Sequence, residues 1–287
     1  MGRDYPRLEI EEFGRQLIES GDLDPIYIAL DKVNWTHDQR DRWLVAYWCW
    51  YHAGVACYMS EHTGSAYWTL MMVAAKNAGA PPVGGRWPRG HERRHARGEQ
   101  ALNMVRGLRN QYKEPEEFVR FVSGPGGTSN TRQFSAVAGR VKVHNLFGPW
   151  IAFKVADMLE RVCGVPVDFD KAAVFMFKDP VKACEMLFVR RQGLDPRVKP
   201  KLEFIIEPIV EHLRREFADL QAPPARDRAI DLQEIETVLC KWKSHMNGHY
   251  PLYNDIDEIN SGLGPWLEVS SSAKEFAAAM PRRPRDV

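Results

Sequence analysis

The stretch from Val143 to Asp170, VHNLFGPWIAFKVADMLERVCGVPVDFD, constrains this chain more than any other. It opens on a tight turn, Phe147-Gly148-Pro149-Trp150. Gly148 is read as supplying a backbone conformation that other residues resist, and Pro149 suits the first turn of a helix because its missing N–H is not needed there. From Trp150 on, apolar residues recur at helical spacing (Phe153, Ala156, Val162), and Val155, Met158 and Leu159 widen the face. Lys154, Asp157, Glu160 and Arg161 take the remaining circumference, and Gly164 with Pro166 ends the helix. Asp168 and Asp170 then fall on one side of an extended VPVDFD segment.

Around this unit the chain reads as helices. Residues 4–20 and 24–30 begin the series, followed by a cap at Trp35-Thr36-His37-Asp38. A long segment from Gln39 to His62, QRDRWLVAYWCWYHAGVACYMSEH, is apolar nearly all round and predicts one central buried helix. Further helices are expected over 65–78, 115–122, 172–177, 180–189, 201–220 and 232–247. Period-two alternation is almost absent, so the fold class is all-α, with roughly ten helices. Residues 1–287 are read as a single helical domain with its core over about 22–266 and a disordered tail at 280–287.

No apolar run approaches the ~18 residues needed to cross a bilayer, and the start is too polar for a signal peptide. The five cysteines are scattered with no CxxC pair, which favours a reducing compartment and no zinc cluster. Net charge is only +1, so a nucleic-acid partner would need a local basic patch.

The sharpest basic feature is Arg86–Arg97, where Arg86, Arg89, Arg93, Arg94 and Arg97 stand with His91 and His95 against a single Glu92. Five guanidiniums where a Gly/Pro loop meets a helix start suit phosphate oxygens; the alternative is a solvated basic face. Asp168 and Asp170 suit a general base or a stabiliser of a cationic centre, or else a helix cap. Lys154 and Asp157, three apart near Trp150, are an active-site pair or a weak intrahelical ion pair. Lys241, Trp242, Lys243 and His245 form a second basic–aromatic cluster with Tyr250. It suits anion binding with a stacking tryptophan, or is the end of an amphipathic helix. Cys240, His245 and His249 lack a fourth partner for zinc. The Ser123–Asn130 loop, SGPGGTSN, lacks the GK[ST] of a phosphate-binding P-loop.

The Gly148-Pro149-Trp150-Ile151-Ala152 turn, with Asp170 lying 20 residues beyond Trp150, resembles the helix-hairpin-helix hallmark of DNA glycosylases. Asn145-Leu146-Phe147 stand where that hallmark has a glycine hairpin. Ala152, and Lys154 two residues on, stand near the position of the lysine of bifunctional members. The order of the larger blocks, YWCWYHAGVACYMSEH, PRGHERRHARG, FGPWIAFKVADMLERVCGVPVDF and CKWKSHMNGHYPLYNDI, resembles the phage amino acid:DNA transferases, also called α-glutamyl/putrescinyl thymidine pyrophosphorylases.

That resemblance implies a glycosylase-like helical fold and a phage enzyme working in the cytoplasm of the infected bacterium. Its partners would be DNA carrying a pyrophosphorylated 5-hydroxymethyl base and a small amine or amino-acid donor; the residues themselves indicate no membrane and no cofactor, and leave a divalent metal open. Arg89, Arg93, Arg94 and Arg97, with Lys241 or Lys243, would stabilise the departing pyrophosphate, and Asp170 with Asp168 the electron-poor carbon. An aspartate or His52, His95 or His245 would take the proton of the attacking ammonium, and Trp150 or Trp242 would hold the base outside the stack. A DNA N-glycosylase and a non-enzymatic DNA-binding protein are the competing expectations.

Overall fold

Several helices start where the sequence supplies a side-chain cap. The computed structural model describes residues 5–77, 80–125, 130–169, 177–195, 201 and 204–284. The described residues are mostly helical with almost no strand, the all-α class expected. In chain order the helices are α1 (Ile10–Ser20), α2 (Pro25–Lys32), α3 (His37–Trp50), α4 (Ala53–Ser60), α5 (Gly64–Lys76), α6 (Gly98–Gln111), α7 (Pro115–Ser123), α8 (Phe134–Lys142), α9 (Pro149–Arg161), α10 (Lys178–Arg191), α11 (Ile206–Glu216), α12 (Leu232–Met246), α13 (Asn254–Leu263) and α14 (Ser271–Ala279). Thr36 begins α3 by accepting the Gln39 N–H on its hydroxyl oxygen at 3.2 Å. Asp231 and Glu234 form a reciprocal capping box at the start of α12.

Three expectations are corrected. The first helix begins at Ile10, with Tyr5–Glu9 non-helical before it. The Gln39–His62 segment is two helices, because Tyr51 turns left-handed at φ 51° and His52 is extended. In the arginine block only a 3-10 turn, His91–Arg93, precedes α6, so the cations lie upstream of the helix start. The helix expected over 172–177 falls largely outside the described residues, and the one expected over 201–220 spans only Ile206–Glu216.

The chain gathers into two compact units, one of residues 1–28, 169–256 and 281–287, the other of residues 29–168 and 257–280. The core of the first is built by α1, α10, α11 and α12. Phe13, Leu17, Leu187, Leu213, Val238 and Trp242 are buried there. Gly14 brings α1 close, since a Cβ at that position would lie 2.4 Å from the Phe217 ring.

In the second unit α3 is the central element, every residue from Trp43 to Trp50 being buried. It packs on α4, α7 and α9, and α8 packs on α9. A two-residue strand β1 (Arg132–Gln133) pairs in parallel with β2 (Val167–Asp168), setting Gln133 opposite Asp168. So short a pair leaves no alternation to read in sequence.

Candidate active site

The break between α3 and α4 organises the second unit. The Tyr51 N–H still bonds to the Tyr47 carbonyl at 2.6 Å, and the left-handed turn then swings the chain away from the α3 axis. His52 becomes the cap of α4, its Nδ1 accepting the Val55 N–H at 3.3 Å. The proton of the neutral ring therefore sits on Nε2, and burial pushes the pKa down to about 4. A ring in that state donates at its remaining nitrogen. This gives His52 a capping role in place of the proton acceptor expected from sequence.

The arginine loop crosses this break at close quarters. The Gly90 N–H donates to the Trp50 carbonyl at 2.9 Å, and a Cβ on Gly90 would stand 2.0 Å from the Tyr51 carbonyl oxygen. Arg89 donates from Nε to the Ala96 carbonyl at 2.6 Å, and from its two terminal nitrogens to Trp87 and Ala74 carbonyls at 3.1 and 2.8 Å. Its guanidinium also lies 4.7 Å over the Trp50 ring, and burial lowers its pKa to about 10.

Arg93 is 2% exposed. It donates to the Cys49 carbonyl at 3.2 Å and the Leu146 carbonyl at 2.7 Å, and faces the Phe147 ring at 5.2 Å. Arg89 and Arg93, expected on phosphate, thus serve main-chain carbonyls. Their three companions differ: Arg94, His95 and Arg97 are all exposed, with Arg97 Nε on the Arg94 carbonyl at 3.0 Å.

The hairpin between α8 and α9 is built differently from its sequence reading. Gly148 has φ −78° and ψ −173°, open to any residue, and a Cβ there would meet nothing within 4 Å. The left-handed position belongs to Leu146 instead, at φ 63°. Leu146 therefore occupies the unusual geometry that a glycine would take without strain. Beneath it, buried His144 pairs with the Tyr112 hydroxyl at 2.9 Å and Phe147 packs on Phe118. Asn145 Nδ2 donates to the Gln100 carbonyl at 3.3 Å, while Val143 is 68% exposed.

Half-buried Trp150 meets the Tyr51 ring edge-on at 4.9 Å, and Tyr51 meets Tyr47 at 4.5 Å, which stacks on Trp43 at 4.6 Å. Sequence reasoning missed Tyr47 and Tyr51. Their signal was the spacing of Trp43, Tyr47 and Tyr51, four apart on one helix face. Lys154 lies near enough for its charge to act on Tyr47, as does Glu92. Lys154 Nζ stands 3.5 Å from Asp157 Oδ2, and Arg161 stands 3.6 Å from Oδ1 of the same fully buried carboxylate. The weak intrahelical ion pair admitted by the spacing is therefore part of a buried triad. Exposed Asp168 accepts from Gln133 Nε2 at 3.0 Å across the β1–β2 pair. Asp170 lies outside the described residues.

The second basic–aromatic cluster sits in the other unit and is engaged throughout. Trp242 is wholly buried and donates to the Leu8 carbonyl at 3.1 Å. His245, 1% exposed, bonds the Tyr250 carbonyl through Nδ1 at 2.8 Å and accepts the Leu8 N–H on Nε2 at 2.9 Å. Lys241 reaches the Asp22 and Leu23 carbonyls and the Asp255 carboxylate, each at 2.7 Å. Lys243 pairs with Asp179 at 2.7 Å. The expected anion site is thus a latch that ties the N-terminal segment to α12. Among the described residues, no group of three or more His, Cys, Asp or Glu side chains is placed to hold a metal ion, and no helix is long and apolar enough to cross a membrane.

The second unit thus combines a helical architecture, a hairpin feeding an aromatic contact, and exposed cations on the arginine loop. Residues 18–249 match the family described as amino acid:DNA transferase. The chain belongs to that family and is a transferase. It is similar to the glycinyltransferase of Pseudomonas phage PaMx11, 47% identical over 293 residues, covering 98% of this chain and 99% of that protein. It is also similar to the putrescinyltransferase of Delftia phage PhiW-14, 26% identical over 247 residues, covering 84% and 74%.

Proposed function

We propose that this enzyme joins intact glycine, through its amine nitrogen, to the exocyclic carbon of a 5-pyrophosphoryloxymethyl-deoxyuridine in phage DNA, within the infected bacterium. The donor nitrogen forms a bond to the exocyclic methylene carbon as the carbon–oxygen bond breaks. The electron pair leaves with pyrophosphate, and the donor ammonium gives up a proton. The observation that carries the choice of donor is the end-to-end likeness to a glycinyltransferase.

Residue roles follow the chemistry. Asp170, with Asp168, stabilises the carbon as it becomes electron-poor. Trp150 and Tyr51 offer their rings to a base taken out of the stack. Arg94, His95 and Arg97 attract phosphate oxygens, and Lys154 adds its charge near the ring pair. The hairpin tip approaches the DNA backbone. Gly148 supports this, because neither its φ nor its surroundings call for a glycine, whereas a bare backbone there lets a phosphate approach the N-terminus of α9.

The test is incubation of DNA carrying the pyrophosphorylated base with glycine and enzyme. Pyrophosphate release that depends on glycine, with every glycosidic bond intact, is expected. Alkali-labile abasic sites in place of a modified base would make the protein a glycosylase and overturn the proposal.

A further inference from the structure

We infer that Arg93 is a positioning residue that holds the hairpin in its DNA-gripping shape by clamping Leu146 in a left-handed conformation. This rests on the reading of the hairpin as the backbone grip. Leu146 sits at φ 63°, a strained conformation that a side chain keeps only where surrounding structure enforces it. The enforcing contact is visible. Arg93 bonds the Leu146 carbonyl at 2.7 Å with one terminal nitrogen, while its Nε is anchored on the Cys49 carbonyl at 3.2 Å. Its guanidinium plane also stands over the ring of Phe147, the next residue of the hairpin, at 5.2 Å.

The anchor makes the clamp directional. Cys49 lies at the end of α3, two residues before the Tyr51 break, and the neighbouring Gly90 N–H is fixed on the Trp50 carbonyl. One buried cation therefore ties the hairpin to the helix break that carries the Tyr51–Trp150 ring pair. Lysine keeps the charge and lacks the fork that reaches two carbonyls at once. A glycine at 146 would hold the same φ with no clamp.

The coupling is read by fluorescence anisotropy on an unmodified DNA duplex, with KM and kcat for the pyrophosphorylated DNA in parallel. R93K should weaken duplex binding about tenfold and raise KM for DNA far more than it lowers kcat. In an L146G background the same R93K change should cost less than about threefold, because the clamped strain is gone. L146I, which resists a positive φ with Arg93 intact, should weaken binding as R93K does, and keeps the test open if R93K folds poorly.

Equal losses from R93K in both backgrounds, or L146I binding as the wild type does, would overturn the clamp. A G148D variant separates the two readings. If placing a carboxylate at the hairpin tip leaves duplex binding unchanged, the hairpin is not the grip and the underlying reading fails. If G148D abolishes binding while R93K and L146G show no coupling, only the clamp fails.

Discussion

Residues 89–97 and residues 241–250 present nearly the same composition: arginines or lysines, histidines and a tryptophan close by. The structure gives them opposite fates. Around α12 the tips of these four side chains are taken, with Lys241 on two carbonyls and Asp255, Lys243 on Asp179, His245 between Leu8 and Tyr250, and Trp242 on Leu8. At the helix break the labour is divided. Arg89 and Arg93 fix the scaffold, while Arg94, His95 and Arg97 face solvent beside a hairpin and a half-buried tryptophan. A basic–aromatic cluster marks a candidate binding surface only where its charged tips remain exposed.

The largest effect that would break this contrast is at the proposed electrostatic centre. Asp170→Asn should lower transfer by about 10³-fold, the loss typical of removing one preorganised charge-stabilising group, with duplex binding intact. Rate and binding assays check this, and a variant that retains activity would move the chemistry elsewhere. The two tryptophans then separate the regions. Trp242→Ala should cost about 3–5 kcal/mol of stability in denaturant unfolding, as a cavity in a packed core. Trp150→Ala should leave unfolding close to wild type and raise KM for modified DNA roughly tenfold or more, as for a lost stacking partner.

His52 sharpens the comparison through pH. Its folded pKa of about 4 lies below the ordinary 6.5, so the unfolded chain takes up the proton more readily. Its contribution to stability is complete above pH 6.5 and is lost as pH falls towards 4. His52→Asn keeps a capping acceptor and should flatten that dependence, which amounts to about 3 kcal/mol, while transfer at neutral pH falls less than tenfold. A drop of about 10²-fold or more would restore His52 as a base. The smallest effect concerns the exposed cations. Arg94→Ala with Arg97→Ala should reduce the salt dependence of duplex binding by about two phosphate contacts, measured as the slope of log affinity against log salt.

The all-α class, α9 with its Pro149 start, and the Thr36 cap were legible because each follows from local periodicity or capping chemistry. The break at Tyr51 was not, since its cause is tertiary. The Gly90 loop packs against the Tyr51 carbonyl, and nothing in YWCWYHAG marks a stop. For the same reason sequence assigned Arg93 to phosphate and the strained hairpin position to Gly148. The carbonyls that Arg93 serves are 44 and 53 residues away, and Leu146 carries no helix-breaking signature. Tyr47 and Tyr51 were overlooked because an aromatic stripe at helical spacing ordinarily means core, and only its far end meets the half-exposed Trp150.

The central claim is transfer of an intact amino acid to the base. It is tested most directly by nucleoside mass spectrometry after incubating pyrophosphorylated DNA with isotopically labelled glycine. The account predicts a thymidine-like nucleoside carrying the donor's nitrogen and both carbons, formed in step with pyrophosphate. An unlabelled nucleoside, or loss of the base from its sugar, would contradict it.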